Sequence, residues 1–173
     1  VSEINHVEFD QDGEETIARI GPGNRFKKLT TDLANEDVMI AHGTCATVGI
    51  SGYTMGGGWG PWTRKYGMCC ERLVGADIVL GDGSIEQLRA TDDKVPDLLW
   101  ALRGGGAFSY GLVTEFQIKT FKLPKTLIRF SLTWNPYPLP SSDVPDARYP
   151  TIDVLQAWEK VICSAKTSRL IGT

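Results

Sequence analysis

The chain has 173 residues, 42% of them hydrophobic and 23% charged, with a net charge of -3. That composition suffices for one domain with a real core, or for one subdomain and the start of another, and it argues against disorder. The weak acidity predicts neither nucleic acid nor an anionic membrane as partner, and no apolar run approaches the ~20 residues of a membrane helix.

The opening Val1-Ser-Glu-Ile-Asn-His6 carries no Met and lacks the basic and apolar regions of a signal peptide. A partial chain is therefore expected, and no compartment can be read from a leader. His6–Asp10 alternates as a strand, Asp12-Gly13 signals a turn, and Thr16–Ile20 reads as the hairpin partner. Gly21-Pro22-Gly23 stops it. Phe26–Ala34 has Phe26, Leu29 and Leu33 on one face, the spacing of a short amphipathic helix. Val38–Ala41 is a brief apolar stretch before the first glycine cluster.

Leu73–Leu80 is a near-continuous apolar strand, and Gly81-Asp82-Gly83 turns it back into Ser84–Leu88. Pro96–Leu102 reads as a short helix with proline in its first turn, ended by Gly104-Gly105-Gly106. Leu112–Phe121 alternates Val113, Glu115, Gln117 and Lys119 on a wetter face against Leu112, Thr114, Phe116 and Ile118 on a greasy one. Leu123-Pro124 marks a boundary. Beyond it, Thr126–Trp134 is expected as a strand, Asn135–Pro150 as a loop, and Thr151–Ala165 as a helix capped by Thr151 with an apolar stripe from Ile152 to Ile162. The sum is α+β with mostly antiparallel pairing, which excludes a doubly wound nucleotide fold.

The chemistry concentrates in His42–Gly67, HGTCATVGISGYTMGGGWGPWTRKYG. Its glycines leave amides unshielded, so the stretch can wrap a planar or phosphorylated ligand. Val48, Ile50, Tyr53, Met55, Trp59 and Trp62 are too much apolar mass for a flexible linker. No Gly-Lys-Ser/Thr follows, so it is not a phosphate-binding P-loop. Of the four cysteines, Cys69 and Cys70 read as packed inward, and no spacing fits a zinc site. A lone Cys45 is most often a buried structural thiol.

Three runs carry a resemblance: Gly43-Thr-Cys-Ala-Thr-Val-Gly49, Gly52-Tyr-Thr-Met-Gly-Gly-Gly-Trp-Gly60 and Arg64-Lys-Tyr-Gly67. Together with Leu73–Gly83, Asp97–Gly106 and Gly111–Phe116, they resemble the berberine bridge enzyme and glucooligosaccharide oxidase family of FAD-linked oxidoreductases. The resemblance covers most of the chain in order. It implies that residues 1–124 are the second subdomain of a two-subdomain FAD-binding domain, and that 125–173 begin an α+β substrate domain.

The resemblance also implies a thioether from Cys45 to flavin C6, chemically sensible for a thiolate nucleophile and an electrophilic ring. Flavin contacts are implied at Thr44, Val48, Gly49, Gly52, Tyr53, Gly58 and Gly60, with Trp59 near the ring, and at Gly111 and Val113. The family's pyrophosphate loop and flavin-bonding histidine lie upstream, and its tyrosine base lies near the C-terminus. Neither His6, read as a strand residue, nor His42, read as orienting the loop, matches them, so no catalytic base is named here. Ala46 stands where the family usually has Pro, and Arg72 and Gly75 where it has Asn and Asp. The implied activity is hydride transfer from an alcohol, sugar or secondary-metabolite ring to flavin N5, with molecular oxygen as acceptor. The alternatives are a non-catalytic scaffold and a flavoenzyme holding its cofactor noncovalently. Secretion enters only by family analogy.

Overall fold

The computed structural model describes residues 2–12, 15–91, 93–106, 109–128, 131, 133 and 151–164. Contacts divide the chain into two compact units, Val1–Leu123 and Pro124–Ile171.

In the first unit, β1 (Val7–Asp12) and β2 (Glu15–Ile20) form an antiparallel hairpin in the register Val7↔Ile20. Its connecting Gly13 and Glu14 lie outside the described residues. Helix α1 (Phe26–Asn35) follows, then β3 (Val38–Met39). The glycine-rich segment contains two short helices that the sequence reading did not anticipate, α2 (Ile50–Met55) and α3 (Thr63–Tyr66). A 3-10 turn over Cys69–Arg72 leads into β4 (Leu73–Val79), which returns as β5 (Ile85–Arg89). Helix α4 (Asp97–Leu102), β6 (Leu112–Lys119) and β7 (Phe121–Lys122) complete the unit. The main sheet has the order β1-β2-β6-β4-β5, every neighbouring pair antiparallel, and β3 pairs with β7 apart from it.

Three apolar positions of α1, Phe26, Leu29 and Leu33, are buried as their spacing predicts. They join Ile20, Ile40, Ile50, Met55, Leu73, Ile78, Leu99, Leu102, Phe116 and Ile118 in one core. Each such side chain contributes roughly 1.5–3 kcal/mol on leaving water, which is what holds elements as short as α2 in place. Cys69 and Cys70 are buried free thiols at the start of β4, packed inward as expected.

The alternation expected along β6 needs correction. Val113 is 3% exposed and Leu112 is 40% exposed, the reverse of the sequence assignment. The cause is a register shift against β4: Asp77 faces Glu115, but Ile78 faces Val113, leaving Thr114 as an extra residue. The bulge turns Val113 onto the face of Phe116 and Ile118. The Thr114 hydroxyl donates to the Asp77 carbonyl at 3.3 Å across the irregularity. His6 also differs from expectation, since it precedes β1 rather than lying in it.

In the second unit, α5 (Thr151–Cys163) forms with Thr151 as its first helical residue. Ile152, Leu155, Trp158 and Val161 of its stripe are exposed. No strand forms at the described residues of Thr126–Trp134, which are Thr126–Ile128, Ser131 and Thr133, and the rest of that segment and the Asn135–Pro150 loop lie outside the described residues. Among the described residues, no helix is long and apolar enough to cross a membrane.

On the polar face of the main sheet, Glu115 is only 6% exposed. Arg19 donates to both of its carboxylate oxygens, each at 2.9 Å, Gln117 donates at 3.1 Å, and a His6 ring nitrogen lies 3.2 Å away. Burial pushes this carboxyl up, but the hydrogen bonds from Arg19, Gln117 and His6, with the Arg19 charge, outweigh burial and hold it below its ordinary value. A lowered carboxyl contributes stability that is fully present above its unfolded value of ~4.3 and is lost as pH falls through the folded value. Glu115→Gln is expected to cost about 1.5–3 kcal/mol near neutral pH and to flatten the acid limb. Urea midpoints followed from neutral to acid pH measure both, and parallel wild-type and variant curves would contradict the assignment.

Candidate functional site

The site residues lie on a loop, a short helix and a glycine return that close on themselves. The first amides of α1 have no side-chain cap. Instead Phe26 N–H donates to the Val48 carbonyl at 3.0 Å and Lys27 N–H to the Ala46 carbonyl at 2.9 Å. In return Ile50 N–H, at the start of α2, donates to the Asn24 carbonyl at 3.0 Å. The Arg25 guanidinium donates to the Thr47 carbonyl, and Ser51 Oγ donates to the Pro22 carbonyl at 2.8 Å. Asn24 is itself 1% exposed, and its Nδ2 donates to the His6 and Gly21 carbonyls, each at 3.0 Å. The turn before α1 and the loop before α2 are thus one hydrogen-bonded unit.

The loop presents Thr44, Cys45, Ala46, Thr47 and Val48 to solvent. Cys45 is an exposed free thiol, not the buried thiol usual for a lone cysteine. The Val48 amide is taken by the Cys45 carbonyl and the Tyr53 amide by the Gly49 carbonyl, both at 3.3 Å. Those two residues can therefore meet a ligand only through carbonyl or side chain. The amides of Thr44, Cys45 and Gly49 donate no hydrogen bond among the described residues.

In α2, Ile50, Thr54 and Met55 face the core. Gly52 is exposed, with nothing within 4 Å of where a Cβ would stand. Tyr53 is half-buried, meets Phe26 edge-on with ring centroids 4.8 Å apart, and packs beside Gly43 and Gly58. Its hydroxyl is buried without a partner among the described residues, and burial, with the nearby Cys69 thiol, pushes the phenol up.

The return needs its glycines. Gly58 has φ +80, and a Cβ there would lie 2.6 Å from Cys69 Cβ and 2.7 Å from the Tyr53 ring. A Cβ on Gly60 would lie 2.2 Å from the His42 carbonyl oxygen. Between them Trp59 stands 63% exposed. The second glycine cluster meets the first where Gly106 N–H donates to the Met55 carbonyl at 3.0 Å. Gly111 and Val113 stand elsewhere, at the start of β6 against the end of β4, and the Val113 side chain belongs to the core.

His42 occupies the hinge between loop and return. Its Nε2 accepts from the Trp62 indole N–H at 2.9 Å, and its Nδ1 lies 2.7 Å from the Gly43 carbonyl. Burial lowers its pKa, opposed by the Gly43 contact, and so favours the neutral ring. Asn24, Trp62 and the Met55–Gly106 contact were not singled out in the sequence as site residues. For Asn24 the local signal is Gly21-Pro22-Gly23, which reads as a stop and not as an anchor, and for Trp62 and Met55 it is their place among the apolar residues of the glycine-rich segment.

Residues 1–89 match the family described as FAD binding domain. The chain is similar to glucooligosaccharide oxidase of Sarocladium strictum, 36% identical over 125 residues, covering 70% of this chain and 24% of that protein. It is also similar to the FAD-linked oxidoreductase pynB of Aspergillus niger, 34% identical over 170 residues, covering 98% of this chain and 29% of that one. Among solved structures, a glucooligosaccharide oxidase of Acremonium strictum superposes with a TM-score of 0.65 at 35% identity, covering 72% of this chain and 25% of that chain. A second structure of the same enzyme describes its cofactor as 6-S-cysteinyl, 8α-N1-histidyl FAD. The chain belongs to this FAD-binding domain family and spans about a quarter of the length of the curated relatives it matches. The mixed helix and antiparallel sheet is the fold it shares with the berberine-bridge-like enzymes of this kind, such as that of Physcomitrella patens at TM-score 0.64 and 33% identity, covering 70% of this chain and 26% of that one.

The residues fit such a cofactor. An exposed thiol and an exposed, uncrowded glycine stand in one short run with the amides of Thr44, Cys45 and Gly49, which donate no hydrogen bond among the described residues, groups that can meet the polar edge of a planar ring. Gly58→Ala and Gly60→Ala are expected to destabilise by about 1–3 kcal/mol, from overpacking against backbone and ring. Gly52→Ala, in a helix with open space, is expected to stabilise by up to ~1 kcal/mol. Thermal unfolding of the three variants checks the ordering.

Proposed function

We propose that this chain forms one wall of the flavin site in an FAD-dependent oxidoreductase. On this reading residues 1–124 are the second part of a two-subdomain FAD-binding domain and 125–173 begin the substrate domain. The observation that carries it is an exposed free Cys45 on a loop whose carbonyls are bonded to α1, inside the matched region. When bound, the flavin would supply the redox chemistry: it takes a hydride at N5 from an alcohol, sugar or secondary-metabolite carbon and passes the electrons to molecular oxygen, giving peroxide.

The residues of this chain hold and orient. Cys45 would hold the flavin through a thioether from its sulfur to ring carbon C6, a two-electron oxidation in which the thiol and ring protons would be released and dioxygen would be reduced to hydrogen peroxide. Thr44, Gly49 and Gly52 offer backbone on the exposed side. Val48 and Trp59 offer apolar surface against the ring. Tyr53 offers its half-buried ring, packed beside Gly43 and Gly58. Gly58 and Gly60 let the return lie close to the loop, and Gly111 and Val113 contribute main chain from β6. No residue of this chain is assigned as the base that takes the substrate's proton, and neither His6 nor His42 is assigned the histidyl link named for the Acremonium enzyme.

The test uses the chain and a longer form with upstream sequence restored. FAD is added and flavin absorbance is read before and after acid precipitation. Yellow colour in the pellet, reduced in Cys45→Ala, is the expected outcome. Colour fully released by acid in both would mean a noncovalent flavoprotein. A longer form that stays colourless would overturn the redox reading in favour of a scaffold without a cofactor. Gly52→Ala is expected to retain less flavin even though its fold is no weaker.

A further inference from the structure

We propose that Trp62 and His42 are a positioning pair that holds the Cys45 loop in place for thioether formation, an inference that rests on the covalent reading above. An indole N–H can only donate, so the imidazole nitrogen that receives it, Nε2, carries no proton. The ring proton then sits on Nδ1 and is donated to the Gly43 carbonyl, 2.7 Å away. Gly43 is the entry to the loop, two positions before Cys45. With both nitrogens engaged, His42 cannot take the thiol proton. It acts through geometry, not as a base.

Both partners are fixed from behind. The Trp62 ring lies 5.3 Å from Phe121 and 6.2 Å from Tyr66, and Tyr66 stacks on Phe121 at 3.6 Å with 3° between planes. Phe121 is pinned by the pairing of β7 with β3, opposite Met39. On its other side the His42 ring lies 5.7 Å from Phe26. Phe26 is the residue whose amide holds the Val48 carbonyl at the far end of the loop. One chain of rings therefore braces both ends of the segment that bears the thiol. Gly60 seats so close to the His42 carbonyl that a Cβ there would clash with it.

The experiment uses the full-length protein, prepared without cofactor and mixed with FAD. Total bound flavin and acid-stable flavin are followed over time for wild type, Trp62→Phe, His42→Phe and the double variant. Trp62→Phe keeps an aromatic ring and removes the N–H. It is expected to bind as much total flavin as wild type while covalent incorporation slows roughly tenfold, the scale of one net hydrogen bond. The double variant should be no slower than His42→Phe alone, because His42→Phe already removes the indole bond that Trp62→Phe removes, together with the bond to Gly43. Wild-type incorporation in Trp62→Phe, or total and acid-stable flavin falling in step, overturns the inference. Flavin released by acid from wild type overturns the covalent reading and the inference with it. Covalent wild type with unaffected variants overturns the inference alone.

Discussion

The amides that begin α1 are satisfied by carbonyls of the Cys45 loop, and everything near the candidate site inherits its position from that exchange. A helix leaves its first four N–H groups without intrahelical partners, and a buried unpaired amide costs roughly 1–3 kcal/mol. Here the usual Ser, Thr, Asp or Asn cap is replaced by main chain from Ala46 and Val48. The first turn of the helix is therefore completed by the loop. The loop in turn has no regular structure of its own to define it. Asn24 closes the exchange from inside, bonded to the His6 and Gly21 carbonyls while its own carbonyl accepts from Ile50. Its Oδ1 is buried without a partner among the described residues, so part of the binding of that turn is set against an unsatisfied acceptor.

This arrangement explains why most of the scaffold was legible in the sequence and the site was less so. The β1–β2 hairpin, α1, the β4–β5 return and α4 follow from local periodicity and turn residues, and they stand where the pattern puts them. The β6 bulge did not. Which residue is skipped depends on the facing strand, and nothing local marks Thr114 as the extra one. Helix α2 was illegible for a related reason. Glycine lowers helix propensity by about 1 kcal/mol, and Ile50–Met55 with its internal Gly52 is too short to persist alone. It forms because Asn24 and Pro22 hold its first turn and because Ile50 and Met55 are fully buried.

The glycine-rich segment was read correctly as more than a linker, but its apolar residues divide in a way that composition does not reveal. Ile50 and Met55 anchor it to the core, Trp62 joins the aromatic stack under His42, and Val48 and Trp59 remain exposed. The two glycine clusters, separate in sequence, meet through Met55 and Gly106. At the departures from the family pattern the structure is also specific. Arg72 ends the 3-10 turn and donates to the Lys119 and Thr120 carbonyls, tying β4 to the end of β6. Gly75 lies at the β4 bulge, where a Cβ would meet Gln117 Oε1 at 2.6 Å and the Leu88 carbonyl at 2.9 Å. An acidic side chain there would require Gln117 to move, and Gln117 is one of the donors to Glu115.

Ala46 is the departure nearest the thiol, and its effect follows from which of its groups are used. Its carbonyl accepts from Lys27, while its amide donates no hydrogen bond among the described residues. A proline keeps the carbonyl that accepts from Lys27 and lacks only the amide, which donates no hydrogen bond among the described residues. What alanine changes is the freedom of the unfolded loop, worth about 0.4–1 kcal/mol where the backbone suits both residues. That is smaller than the combined effect of the bonds from Phe26, Lys27 and Arg25 that hold the loop from outside. The loop is therefore fixed by what it is bonded to, and the substitution leaves the placement of Cys45 to α1 and its preceding turn.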